Sequence, residues 1–551
     1  MRLGAAPGAH AAQPVLPAQP ALPRRLLASP VALATGLATV LVVAWLAVVP
    51  PVPDLAAQTA RARTAGATLW WTGWFGGVTT PGYSLLVPPL MAALGVAVVG
   101  AVATVVAVAL FARLVRASRR PRAGAAAFAV LATANIVAGR VTFAVGSALG
   151  LAALICLVVR AERERGRRLL AAVLVLAALT GLASPVAALL LGLAAAAAVC
   201  AAPGHRRAAL LLAAAAAAPV LAVAVLFPEP GRMPFTAIAL RPSLVASVGL
   251  LPALNDRRAR LLQVGALLSV VLVLAAYLLT SPVGSNAERL ALLWGAPVLI
   301  AWSPLPALAI ALIGVPLLWW PERNVRQELV RSTDASASAA YYRPLLAELV
   351  PRVLPGQRVE VVDPRTHWSA AEVATRVPLA RGWERQVDSA LTPIFYGRAP
   401  LNAASYRSFL DAHAAAWVAL PDAPLDFASV AEGALVRRGL DCLQPVWRGE
   451  HWTLYAVTRP APLARGDLVV RAVGRSSVML ARAPGVGIEQ PAAAVLQVRW
   501  NRWLRADGGC VGRAGEWTRV VADPGRGRLR LEVSLVRPGR SCAAVAAPAS
   551  R

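Results

Sequence analysis

The stretch "LPALAIALIGVPLLWWPERNVRQELV", residues 305–330, decides the fold. It is apolar up to Trp320, and from Pro321 onward charges crowd in as "PERNVRQE". Reading backwards, apolar runs long enough to cross a bilayer recur as far as Leu26. Reading forwards, charged, aromatic and turn residues alternate, and no later run is long enough to span. The chain therefore divides into a helical membrane domain over 26–320 and a water-exposed part over 321–551.

Composition agrees. Of 551 residues, 58% are hydrophobic and only 15% charged, which is too apolar for an ordinary soluble enzyme. The formal net charge of +28 invites a nucleic-acid partner, but all 55 basic residues are Arg. They cluster in short loops between apolar runs, where they act as topological anchors. No zinc-finger spacing, aromatic RNA-binding signature or helix-turn-helix pattern accompanies them, so no nucleic acid is expected. The absence of Lys excludes a Walker-type phosphate loop and a pyridoxal Schiff base.

The Arg loops orient the chain. Arg24 and Arg25 precede the first span, and the richest loops are "RLVRASRRPR" (113–122), "RAERERGRR" (160–168), "GHRR" (204–207) and "NDRRARL" (255–261). With these on the cytoplasmic side, the loops around Asp54, Arg140, Ser184, Glu229 and Asn286 lie outside. About eleven spans then follow from the alternation, and the odd number places the part after Pro321 outside as well. The first run lacks a small-residue cleavage site and reads as an uncleaved anchor. Residues 1–25 read as a disordered cytoplasmic tail.

Ionisable residues are almost absent from the expected hydrocarbon core, whereas an ion-coupled transporter carries them at mid-membrane. They gather instead at the outer ends of spans: Asp54, Arg61, Arg63, Arg140, Glu229, Arg232, Glu288 and Arg289. That layout suits a reaction at headgroup level on a lipid-borne substrate.

A family resemblance enters here. The first outer loop from Asp54 through "WWTGWFGGVTTPGYSLLVPPL" is followed by "AGRVTFAVGSALGLAAL", "LASPVAALLLGLA", "FPEPGRMPF" and "GSNAERLALLWGAPVL". In order and loop character these resemble actinobacterial members of the GT-C superfamily, glycosyltransferases that use polyprenyl-phosphate sugars. The resemblance covers most of 26–460. It implies a GT-C-like membrane domain and transfer of a sugar from a polyprenyl-phosphate donor to a cell-envelope acceptor (glycan, lipid or protein). It implies that Asp54, the only acid of the first outer loop, is the catalytic base or positions the acceptor and a divalent metal. Arg61, Arg63, Arg140, Arg232 and Arg289 are the matching phosphate ligands, with Asn286 and Glu288 beside them as substrate-binding residues. Such a displacement needs a base for the acceptor hydroxyl and cations for the departing phosphate. The sequence departs from the family in lacking the paired acids of the loop, and its His-rich turn reads "GGVT" at 76–79.

Plainer readings stand beside these. Asp54 after Pro53 is also a helix-cap pattern. Arg61 and Arg63 also fit interfacial anchors, and Trp70, Trp71, Trp74 and Tyr83 an aromatic belt. Arg289 next to Glu288 also fits a local ion pair. The breaks at Pro185 and Pro282 read as loop ends.

The outer part divides into a mixed α/β unit over 321–460 and a β-rich, sandwich-like module over 461–551. In the first, His367, Trp368, Glu372, Trp383, Glu384 and Arg385 concentrate in two stretches. They read either as the acceptor side of a cleft, with His367 and Trp383 on substrate, or as an interface with the membrane domain. Cys510 and Cys542 flank the last β-rich segment and are the preferred disulfide, leaving Cys442 free; Cys156 and Cys200 read as packing residues in spans. The five histidines show no metal-ligand spacing. No cofactor is implied beyond a possible divalent metal. The expected setting is the cytoplasmic membrane, with membrane lipid as partner. A non-catalytic alternative, a transporter or an inactive GT-C-like scaffold, has the same hydrophobic pattern.

Overall fold

The computed structural model describes residues 29–67, 82–163, 166–228, 231–256, 259–537 and 539–542. The expected tail (1–25), Glu229, the Trp70, Trp71 and Trp74 group and the "GGVT" turn lie outside the described residues.

Helices account for the first part. They are α1 (Pro30–Val48), α2 (Pro53–Arg63), α3 (Val87–Leu94), α4 (Val96–Leu114), α5 (Pro121–Val137), α6 (Val141–Arg163), α7 (Arg167–Ala183) and α8 (Pro185–Ala201). Then come α9 (Arg206–Leu226), α10 (Ala237–Ala253), α11 (Arg260–Leu278), α12 (Ala296–Trp302) and α13 (Ala307–Ser332). Among the described residues, five helices are long and apolar enough to cross a membrane: Pro30–Val48, Val96–Ala117, Val141–Arg160, Pro203–Leu226 and Arg260–Leu278. Pro121–Val137, Pro185–Ala201 and Ala237–Ala253 are shorter apolar helices. Their outer faces expose Val40, Val43, Val102, Leu221, Val225 and Leu267, side chains that water would not tolerate in such number but lipid does. Inside, Phe111 stacks on Phe128 at 4.2 Å and Phe143 meets Trp294 edge-on at 6.0 Å.

Local chemistry sets the helix ends. Ser29 and Ser184 cap α1 and α8 through their hydroxyls, each followed by Pro at the first helical position, where its missing N–H costs nothing. The break at Pro185 is therefore a loop end. Pro321 behaves differently. The helix α13 does not stop there but runs on to Ser332 with Pro316 and Pro321 inside it. The return of charge at residue 321 marks a change of surroundings on one continuous helix, because a proline removes one hydrogen bond without forcing the backbone out of helical angles.

The two ends of the bundle are tied separately. At one end Arg119 pairs with Asp256 at 2.6 Å, and Arg120 donates to the carbonyls of Ser303 and Leu305 at 2.8 and 2.9 Å. At the other, Asp54 meets Arg140, and Leu85 and Leu86 donate to Leu182 O. The Arg-rich loop 113–122 and the Asp54 loop thus lie at opposite ends.

After Ser332 come α14 (Ala339–Leu349), β1 (Arg358–Val361), α15 (Ser369–Glu372), α16 (Arg385–Leu391), α17 (Ala403–Ala412), β2 (Ala415–Pro421), α18 (Val430–Arg437), β3 (Leu443–Arg448) and β4 (Trp452–Val457). The sheet has the order β1-β2-β4-β3, with β1 and β2 parallel and the other pairs antiparallel. Both neighbours of β2 bury it, which explains why it reads as a nearly continuous apolar run, "AAWVALP".

The final module holds β5 (Ala464–Gly466), β6 (Leu468–Val473), β7 (Ser477–Arg482), β8 (Ala492–Arg499), β9 (Leu504–Asp507), β10 (Gly509–Ala514), β11 (Trp517–Ala522) and β12 (Arg528–Val533). They form two four-stranded sheets, β10-β11-β8-β5 and β6-β7-β12-β9. Alternating burial, as in the inward Val478, Leu480, Leu529 and Leu531, makes one core between them. Cys510 and Cys542 are disulfide-bonded with Cα atoms 5.1 Å apart, and Cys156, Cys200 and Cys442 are free thiols.

Where this module meets the α/β unit, two basic side chains are buried. Arg358 donates to the carbonyls of His413 and Gln497, both at 3.0 Å, and burial lowers its pKa to about 9. His413 donates through Nδ1 to Phe409 O at 2.9 Å. Burial, assisted by Arg358, Arg499 and Arg381, lowers its pKa to about 3. A histidine depressed in the fold contributes stability above its unfolded pKa of about 6.5, and that stability is lost as pH falls. Between pH 7 and pH 5 the loss from His413 should be about 2 kcal/mol. His413→Phe should therefore lose less stability over this interval than the parent protein, as read by denaturant unfolding. Equal losses would contradict the assignment.

Candidate active site at the junction of the two domains

The site begins at α2, a short polar helix lying between the membrane helices and the outer unit. Val52 occupies its N-cap with no side-chain cap bond, and Pro53 and Asp54 form its first turn. Asp54 is thus not the cap; its carboxylate points away, 39% exposed, to Arg140 Nε at 3.6 Å.

Arg140 reaches it because of the turn before α6. Gly139 adopts φ +78°, and a Cβ there would sit 2.6 Å from Leu55 N and 3.0 Å from Asp54 Cβ. Only glycine allows the α5–α6 turn to pack against α2 this closely. Arg289 approaches from a third direction, just after the short 3₁₀ turn Gly284–Glu288 and before a π turn, Ala291–Gly295, that leads into α12. Its guanidinium lies over the Phe143 ring at 5.1 Å. Among the described residues it has no hydrogen-bond or ion-pair partner. Arg140 and Arg289 line a common cavity of about 20 Å³ with Asn135, Phe143 and Asn324. A cleft with one exposed carboxylate and two guanidinium groups, one unpaired, is poised for an anion.

Directly behind it opens a second, apolar cavity of about 560 Å³. It starts at Gly146, Ser147 and Leu290, the neighbour of Arg289, and extends to His205, Leu261 and Trp302 at the far end of the bundle. That volume is within the about 300–1,000 Å³ typical of small-molecule pockets.

The other residues singled out in the sequence lie elsewhere. Arg61 is buried and pairs with Glu384 at 2.6 Å, its guanidinium over Tyr83 at 4.2 Å. Arg63 donates to Ala371 O at 2.7 Å and meets Glu372 at 3.2 Å. Trp368 adds a bond from Nε1 to Pro51 O at 2.8 Å. Arg61 and Arg63 thus dock the outer unit onto α2 instead of joining Arg289 beside Asp54. The reason is electrostatic: the outer unit brings two carboxylates over their end of the helix. Arg232 contributes its backbone, donating to Gln386 O at 2.9 Å and accepting from the Ser389 hydroxyl. Asn286 is buried with its Nδ2 unpartnered, and Glu288 accepts from Trp320 Nε1 at 3.2 Å.

His367 and Trp383 belong to the interior of the outer unit. The imidazole stacks on Trp383 at 4.0 Å, is bonded to Asp363 and lies 3.3 Å from Asp426. Arg385 grips Asp426 with two bonds at 2.8 and 2.9 Å. Burial alone would lower the His367 pKa, but Asp363 and Asp426 more than offset it and hold it raised. His367 has φ +58°, a left-handed conformation held by this network.

Sequence reasoning passed over Asn324 and Glu328 on α13. Glu328 is raised in pKa by burial, and it feels the charges of Arg331, Asp54, Arg140 and His367. The signal was present as polar residues four apart on one helix face, but it sat in a segment that reads as ordinary solvated helix. Among the described residues no cluster of three or more His, Cys, Asp or Glu is placed for a metal ion. The local donor set, two carboxylates interleaved with two guanidinium groups, does not fit a divalent cation, since the Arg charges already occupy its electrostatic role.

No family model matches the chain, and no curated protein matches it. Among solved structures it is similar to ArnT from Cupriavidus metallidurans in the apo state, at 12% identity and a TM-score of 0.41, over 76% of this chain and 97% of that one.

Proposed function

We propose that the protein transfers a sugar from a polyprenyl-phosphate donor to a cell-envelope acceptor at the outer face of the cytoplasmic membrane. The observation that carries this reading is a juxtaposition. The Asp54–Arg140–Arg289 cleft opens beside an apolar cavity of about 560 Å³ that begins at the residue after Arg289. An anionic headgroup with a long apolar tail matches both halves at once.

In the reaction, the acceptor oxygen forms its bond to the anomeric carbon as the bond from that carbon to the phosphate oxygen breaks. The acceptor's proton passes to the Asp54 carboxylate. The electron pair leaves with the polyprenyl phosphate, whose charge Arg140 and Arg289 stabilise. The orientation follows the Arg loops, with the amino terminus cytoplasmic and residues 321–551 outside.

The test uses the full-length protein in native membranes and in purified form. Labelled polyprenyl-phosphate sugars should yield labelled envelope glycan, lipid or protein with the purified enzyme. A cysteine engineered at Gly466 should react with an impermeant reagent in intact cells. Absence of any transfer across a panel of donors, or protection of residue 466 until lysis, would reject the reading.

A further inference from the structure

Buried polar atoms without partners are rare, because each costs about 1–3 kcal/mol. Around the cleft they accumulate. Asn324 Nδ2 and Glu328 Oε2 on α13 are both buried and unpartnered, and Gln58 Oε1, one helical turn after Asp54 on α2, is a third. The other Glu328 oxygen accepts from Arg331 at 3.1 Å, so the residue is anchored while one lone-pair face stays open. Gln58 donates to Tyr83 OH at 2.8 Å, which leaves its carbonyl open in the same way. Asn324 lines the small cavity with Arg140 and Arg289. Glu328 lies near enough to Asp54 and Arg140 for their charges to act on it.

The spacing narrows what fits. Residues four apart on a helix stand on one face with Cβ atoms about 5–6 Å apart. On that spacing one small group is enough to bridge the two side chains. The Asn side chain offers an N–H donor and the Glu side chain a lone-pair acceptor, so the group between them must both accept and donate. A phosphate oxygen only accepts, and the carboxylate repels it. An ammonium group only donates and leaves the amide unsatisfied. A hydroxyl does both, and the cavity of about 20 Å³ beside Asn324 admits a group of that size.

We propose that Asn324 and Glu328 bind a hydroxyl group of the donor's sugar, so that the last membrane-domain helix selects which sugar is transferred. This rests on the transferase reading given above. The lipid phosphate sits with Arg140 and Arg289, and the sugar projects from it toward α13, on the side of the cleft where the outer unit closes over α2. The two residues are specificity determinants, and the base remains Asp54.

The test separates the two layers by equilibrium binding to the full-length protein in nanodiscs. The probes are bare polyprenyl phosphate and polyprenyl-phosphate glucose, mannose, galactose and arabinose. The parent protein should bind at least one sugar-bearing lipid about 10-fold more tightly than the bare lipid, the worth of one well-made hydrogen-bonded contact. Asn324→Leu and Glu328→Met, close in volume to the originals, should reduce that ratio to about 2 or less while still binding the bare lipid. Retained bare-lipid binding also shows that the variants fold. Because Asn324→Leu removes an orphaned polar atom, its thermal midpoint should equal or exceed that of the parent protein, whereas Glu328→Met also gives up the bond from Arg331. If the parent fails to bind bare polyprenyl phosphate, the transferase reading itself falls. If it binds the bare lipid but gains nothing from any sugar, or if both variants keep the full ratio, this inference falls alone and the open atoms hold only water. If donor binding is untouched while the KM for acceptor rises, the hydroxyl is the acceptor's and the assignment to the donor is overturned.

Discussion

Asp54→Asn should lower sugar transfer by about 10²–10⁴-fold, the usual cost of removing a general base. Stability and membrane insertion should hardly change. Asp54 occupies the first turn of α2 without making a side-chain cap bond, so Asn gives up a favourable helix-dipole term of about 0.3–1 kcal/mol and a part-exposed ion pair with Arg140, which contributes little. The amide keeps the size of the carboxylate and still faces Arg140, which lies 3.6 Å away. What Asn cannot do is take the acceptor's proton. The expected kinetic signature is therefore a fall in kcat with bare polyprenyl-phosphate affinity within about twofold of the parent protein. Full retention of transfer would assign Asp54 to helix electrostatics alone. A variant that failed to bind lipid phosphate would mean instead that the Asp54–Arg140 contact shapes the cleft.

The route from sequence to this site was uneven, for identifiable reasons. The division into apolar helices and a sheet-rich part follows from hydrophobic runs and the charge boundary, which act over many residues at once. The prominence of Asp54 follows from its being the lone acid of its loop. The partners of Asp54 were less legible. Arg140 is chosen by a glycine turn at Gly139, whose left-handed backbone allows α2 and α6 to touch, and a run of letters does not reveal that approach. Arg61 and Arg63 look equivalent to Arg140 in the sequence, yet Glu384 and Glu372, more than 300 residues later, draw them into the interface. Pro321 misleads most. It reads as the end of the membrane domain, while the helix continues through it and carries Asn324 to the cleft, with Glu328 one turn further on.

Arg289→Met should weaken binding of polyprenyl phosphate by about 10–100-fold, since hydrogen bonds to a charged group contribute about 1.5–3 kcal/mol. The same change should leave the thermal midpoint unaltered or raise it. The two signs together make the test sharp. A structural arginine has partners, and its removal strands them and destabilises the fold. Arg289 lies over the Phe143 face without a hydrogen bond or ion pair among the described residues, and Arg140, a like charge, lines the same cavity. With no hydrogen bond or ion pair made among the described residues, the guanidinium is open to an anion that a ligand supplies. Met restores the length and the contact with Phe143 while deleting the charge. Arg289→Lys should recover part of the affinity through charge but not the two-pronged geometry of guanidinium on phosphate. A lowered midpoint with unchanged lipid affinity in Arg289→Met would show that the residue supports the bundle, and the anion site would then have to be sought around Arg140 alone.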